Sequence, residues 1–213
     1  MSRPNLTLHC FAGDPQSLAV IYFADYLNVN LSIRYLKPIN LNEKIYKSSL
    51  TKSFPMLQVD LPSEPVFIER SNNILKYLSS LEHGKCYSHS NDIYKQSIVD
   101  QILDTLSTEI LPSVFSSFGG NLGIVELEKE EHSRIKKDIF SNLHSFSLTI
   151  KKFENFELSL FDFQIIALVL MLNTDFSINK KIPAYAALIE RLAKVSEKDH
   201  KFCKFTKAHK LTK

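Results

Sequence analysis

Residues 52–78, reading KSFPMLQVDLPSEPVFIERSNNILKYL, restrict what this chain can fold into more than any other stretch. Pro55 stands immediately before the apolar run at 56–60. A proline has no N–H to give to a sheet ladder, so it belongs at the start of that strand and not within it. A second short apolar run, 66–68, follows across Leu61-Pro62-Ser63-Glu64-Pro65, which is turn-forming sequence. The spacing predicts a hairpin and then a helix from Ser71 to about Leu81. Ser71 stands where a hydroxyl and the free amides of a first helical turn can hold a carboxylate.

The residues around this hairpin complete an α/β pattern. Leu6 to Cys10 reads as a strand, and a loop with Gly13 and Asp14 follows. Pro15 suits a helix start, and Leu18, Ile21, Tyr22, Tyr26 and Leu27 recur at helical spacing. Residues 31–36 alternate as a strand does, and 42–50 form a weaker helical pattern. The order β-α-β-α-β-β-α over residues 1–82 is similar to a thioredoxin-like domain. Residues 83–91 are polar, contain Gly84 and read as a linker.

Beyond the linker the strand pattern ends, and 92–195 read as an all-α helical bundle. The face Ile98, Ile102, Leu106 and Ile110 predicts a helix that stops near Pro112, with a turn at 118–121. A long amphipathic helix is expected over 124–150, and a helix begins at Pro183. Between them, residues 160–172 are apolar nearly all round, the mark of a buried central helix. Its start, Leu158-Ser159-Leu160-Phe161-Asp162-Phe163, spells a capping box with Asp in the third position. Ser159 is expected to accept from the Asp162 amide while the Asp162 carboxylate reaches back to the Ser159 amide.

Charge and cysteine content narrow the setting. The net charge of +3 is unevenly spread: from Glu197 onward six lysines face two acids, which leaves the remainder at −1. The segment 196–213 is therefore a basic tail. Phe202, Phe205, Ala208 and Leu211 share the three-residue spacing of its lysines, so a partly docked helix and a solvated end are both open. Lysines 198–213 suit RNA or an acidic partner. Three widely spaced cysteines make no disulfide framework, which points to a reducing, cytoplasmic compartment. No apolar run is long enough to span a bilayer, and the N-terminus lacks the pattern of a secretory leader. His83, Cys86 and His89 offer three metal-ligand types without a fourth nearby, so the reading there is a polar loop and no metal. The sequence has no phosphate-cradling glycine loop, hydrolase elbow or paired catalytic carboxylates.

The proline-led hairpin and the capped central helix, in this order, resemble the soluble glutathione transferase superfamily. The resemblance implies a thioredoxin-like α/β domain joined to an all-helical one. It implies that Phe54-Pro55-Met56-Leu57 is the family's cis-proline segment and that Ser71 is the serine holding the γ-glutamyl carboxylate of glutathione. It also assigns Ser159 and Asp162 a folding role. Two departures bear on activity. Arg70 precedes Ser71 where the family has Glu or Gln, with Glu69 displaced by one residue. Cys10 falls where many members carry a catalytic tyrosine, and a thiol does chemistry there only if its pKa is lowered. Ser17 is the other hydroxyl near that position.

The expectation is a non-catalytic protein–protein interaction module without a cofactor. Ser71-Asn72 and residues 110–124 are similar to the gamma subunit of elongation factor 1B, which implies a translation-associated complex. A protein partner would dock on exposed helix faces, in a homo- or heterodimer. The alternative is a glutathione transferase or glutathione-dependent thiol reductase. In it Cys10 or Ser17 would act on glutathione held at Pro55 and Ser71.

Overall fold

The computed structural model describes residues 4–36, 53–84, 86–87, 92–121, 128–153, 156–174 and 183–208. Four strands form one mixed sheet: β1 (Leu6–Cys10), β2 (Ser32–Tyr35), β3 (Met56–Asp60) and β4 (Pro65–Glu69). Their spatial order is β2-β1-β3-β4, with β1 parallel to β2 and the remaining pairs antiparallel. The predicted hairpin is β3–β4, in register with Leu57 opposite Ile68. Pro55 precedes β3 and Pro65 opens β4, the positions a residue without an N–H can take. The Phe54–Pro55 peptide is cis, and the Pro55 carbonyl accepts from Arg70 N at 3.0 Å.

Helices α1 (Pro15–Leu27) and α2 (Ser71–Leu81) build a core with this sheet. Val20 and Phe23 of α1 and Ile74, Leu75 and Leu78 of α2 are buried with Leu8, Leu57 and Val59. A separate cluster joins Met56 and Leu36 to Phe11, Phe54 and Phe67. The helix expected over 42–50 lies outside the described residues.

The rest of the described chain is helical: α3 (Ile93–Thr105), α4 (Leu111–Asn121), α5 (Lys129–Lys152), α6 (Leu160–Thr174), α7 (Pro183–Lys198) and α8 (His200–Ala208). Residues 158–169 are all buried, so α6 is the central helix its composition predicts. The first helix of this group does not stop at Pro112, nor do residues 118–121 form a turn. A π-helical turn, Leu106–Ile110, carries the helix onward into α4. There Leu111 N bonds to Leu106 O, one residue farther back than in an α-helix. The widened turn accommodates Pro112, which has no N–H and whose ring would crowd an ordinary α-turn.

Residues 200–208 of the basic segment are docked, and 209–213, with Leu211, lie outside the described residues. Asp199 separates α7 from α8, and its carboxylate accepts from Phe202 N at 2.8 Å and from the Tyr26 hydroxyl at 2.9 Å. Phe202 is fully buried against Tyr26 and Phe163, with ring centroids 6.3 and 5.6 Å away. Burying such a ring stabilises by about 1.5–3 kcal/mol relative to leaving it in water, and Phe205 and Thr206 are buried beside it. Among the described residues no helix is long and apolar enough to cross a membrane.

Candidate functional site

The loop from β1 to α1 brings the side chains of Cys10, Asp14 and Ser17 together. Gly13 adopts φ 78°, a left-handed turn that leads the chain into Asp14, the N-cap of α1. The Asp14 carboxylate accepts from Gln16 N (3.2 Å), from Ser17 N (2.9 Å) and from the Ser17 hydroxyl. Burial pushes the Asp14 pKa up, and the bonds from Ser17 and Gln16 oppose that shift. Ser17 is itself buried, and its hydroxyl completes this cap.

Cys10 is fully buried at the end of β1. Burial, and then the charge of Asp14, push its thiol up to about 11, with Ser17 pulling weakly the other way. A cysteine poised for nucleophilic or redox work has its pKa lowered, not raised. At neutral pH Cys10 is a protonated core residue.

Ser71 is the first residue of α2 and is fully buried. Its hydroxyl donates to Gln16 Oε1 at 3.1 Å and accepts from Gln164 Nε2 at 3.4 Å. Gln164, buried in α6, also donates to Asn72 Oδ1 at 2.7 Å. Asn72 in turn donates to Asp104 Oδ1 and to Ser107 Oγ, both at 3.0 Å. Gln16 Nε2 reaches the Ser107 carbonyl at 3.3 Å and closes the ring. This network ties α1, α2, α3, the π-turn and α6 together, and it occupies the hydroxyl that was expected to hold a carboxylate.

A cavity of about 440 Å³ opens on the outer side of this ring, lined by Gln16, Ser53, Phe54, Arg70, Asn72 and Asp104 among others. Arg70 occupies the N-cap position of α2 without a side-chain capping bond, at φ 71° and ψ 139°. A non-glycine residue held there stores about 1–3 kcal/mol of backbone strain. Its side chain is exposed, and among the described residues no hydrogen bond or ion pair engages it. The pocket therefore joins the Arg70 guanidinium, the Asp104 carboxylate and amide groups beside one aromatic wall.

The second serine-led start, at α6, is built differently. The Asp162 carboxylate accepts from Ser159 N at 2.9 Å, as expected. The other half of the box is absent. Asp162 N bonds to the Ser159 carbonyl at 3.0 Å, and among the described residues the buried Ser159 hydroxyl has no partner. Arg191 supplies the missing order: its Nε and Nη2 grip Asp162 Oδ1 and Oδ2 at 2.9 and 2.8 Å. Its remaining N–H groups reach the carbonyls of Phe153 (3.0 Å), Phe156 (2.7 Å) and Glu157 (2.9 Å). All five donors of this buried guanidinium are thereby satisfied.

Gln16, Gln164, Asn72, Asp104 and Arg191 were not foreseen as site residues. Two of them left a trace: Gln164 is a polar residue in the apolar run 160–172, and Arg191 lies on the Leu188–Leu192 apolar face of α7. None of the three cysteines forms a disulfide. Among the described residues no group of three or more His, Cys, Asp and Glu is placed to hold a metal ion, and His89 lies outside them.

No family model and no curated protein matches the sequence. Solved structures do match the fold. The glutathione transferase URE2P6 from Phanerochaete chrysosporium, in complex with oxidized glutathione, superposes with a TM-score of 0.75 at 14% identity, covering 98% of each chain. The nitrogen regulation fragment of the yeast prion protein Ure2p gives 0.70 at 14% identity, covering 97% of this chain and 98% of that one. A glutathione-S-transferase from Xylella fastidiosa gives 0.65 at 15% identity over 97% and 99%. This chain has the glutathione-transferase fold. At such identities the likeness establishes the architecture, a thioredoxin-like sheet layer followed by a helical region.

Proposed function

We propose that the chain is a non-catalytic interaction module on a glutathione-transferase scaffold. The observation that carries this reading is the state of the groups that would do the chemistry. Cys10 is buried with its pKa raised, the Ser17 hydroxyl is bonded to Asp14, and the Ser71 hydroxyl is bonded between Gln16 and Gln164. None of the three is an activated nucleophile, and none has a hydroxyl or thiolate directed at the 440 Å³ cavity. The translation-associated setting rests on the sequence at 71–72 and 110–124 and on nothing further. Its test is whether elongation or synthetase components co-purify with the intact chain.

A specific feature favours the alternative, a glutathione transferase or thiol reductase. The cavity lies beside Phe54 and the cis Pro55, and Arg70 offers it an unengaged cation. Ure2p, which shares the fold, has been solved in complex with glutathione. Isothermal titration with glutathione and turnover of a chlorodinitrobenzene electrophile separate the two readings. The module reading expects no saturable heat at physiological glutathione concentration and no turnover above background. Tight glutathione binding together with turnover that Cys10→Ala or Ser17→Ala abolishes would overturn it.

A further inference from the structure

We infer that the outer face of α8 is a docking surface for an acidic, helical segment of a partner protein. This deepens the interaction-module reading and rests on it. Residues 200–208 of the basic segment form a docked helix. Phe202, Phe205 and Thr206 are buried on one side of α8, whereas His200, Lys201, Lys204 and Lys207 are exposed. At 100° per residue these four fall within one arc opposite the buried side. The docked aromatic residues fix which way the lysines point. Phe205 lies 5.8 Å from the Tyr22 ring, and Lys201 sits 4.9 Å from the Tyr26 ring centroid. The Asp199 carboxylate is turned toward Phe202 N and the Tyr26 hydroxyl, and with Glu197 it offsets only part of the positive charge of the lysines. The cations are thus arranged before any partner arrives, which lowers the ordering cost of binding.

The chemistry of the row selects the partner class. From residue 192 onward the chain contains lysine but no arginine. The phenylalanines of α8 are turned inward, so His200 is the one aromatic ring that the described outer face offers to a base. RNA recognition draws on arginine forks and aromatic platforms, and this face has no arginine and a single imidazole. Insertion into a bilayer needs a free apolar face, and that of α8 is already covered. What remains is a line of ammonium groups stepping about 4.5 Å along the helix. Carboxylates at i, i+3 or i+4, and i+7 of an acidic helix repeat at a similar step.

The test is fluorescence anisotropy with the full chain. The probes are a labelled Glu/Ala helical peptide with acids at those positions and a single-stranded RNA of equal charge. The peptide is expected to bind, and to bind more weakly as salt rises from about 50 to about 200 mM. Lys204→Glu with Lys207→Glu should weaken it by about tenfold or more. Lys137→Glu with Lys151→Glu, an equal charge change on exposed α5 residues, should leave it within about twofold. Circular dichroism confirms that each variant keeps its fold. Tighter binding to the RNA than to the peptide overturns the inference, as does equal loss from both charge reversals or no binding at millimolar peptide. If affinity purification recovers the same partners with the α8 reversal as with the unaltered chain, the inference fails while the module reading stands. Glutathione turnover would sink that reading and leave the peptide result untouched.

Discussion

Two buried serines begin two helices in this molecule, and they are held in opposite ways. At α6 a charged clamp does the work: Arg191 grips Asp162, Asp162 caps Ser159 N, and the serine hydroxyl is left over. At α2 the serine hydroxyl is fully engaged in a neutral amide ring, while the charged residue beside it, Arg70, is left over on a cavity wall. One start is closed and serves packing alone. The other retains backbone strain, and among the described residues no partner engages its cation. The comparison teaches that a serine at a helix start does not by itself say what the site is for. The identity of the unsatisfied group does.

The largest effect should come from breaking the closed start. Asp162→Ala leaves the Arg191 guanidinium buried without its carboxylate, and removing one partner of a buried ion pair costs about 3–5 kcal/mol. Urea denaturation should show a loss of that size. A loss below about 1 kcal/mol would mean that the three carbonyls on Arg191 hold the region without the acid. Attacking the open start should cost less. Gln164→Leu withdraws two donors and orphans the buried Asn72 Oδ1, a penalty of about 1–3 kcal/mol. Because Gln164 Oε1 has no partner among the described residues, leucine also removes one existing defect. The result should therefore fall toward the lower end, and a loss as large as that of Asp162→Ala would erase the contrast between the two starts.

Much of the architecture could be read from the chain because its signals are local. Pro55 and Pro65 flank β3 and β4 for want of an N–H, and Pro15 and Pro183 open α1 and α7. Pro112 misled because a proline's effect depends on the turn before it, and a π-turn is not written in residue spacing. Residues 196–208 were ambiguous because the docking of Phe202 depends on Tyr26 and Phe163, far away in sequence. The site followed the same division. Cys10, Ser17 and Ser71 were visible as types, but their partners Asp14, Gln16 and Gln164 decide what each hydroxyl or thiol does. The Ser71–Gln164 bond spans 93 residues, and no periodicity encodes it.

The finest test applies one substitution to both serines. A helix-start serine ordinarily loses about 1 kcal/mol on conversion to alanine, because its hydroxyl accepts from an otherwise orphaned amide. Ser71→Ala should show at least that, since its hydroxyl both donates to Gln16 and accepts from Gln164. Ser159→Ala should cost under about 0.5 kcal/mol, since the hydroxyl it deletes has no partner and the bond that caps α6 starts from its backbone N–H, which alanine keeps. Equal losses at the two positions would show that Ser159 Oγ does reach the Asp162 amide in solution. The capping box would then be complete and α6 would be closed twice over, while a Ser159 loss near zero leaves Arg191 and Asp162 as the whole of that closure.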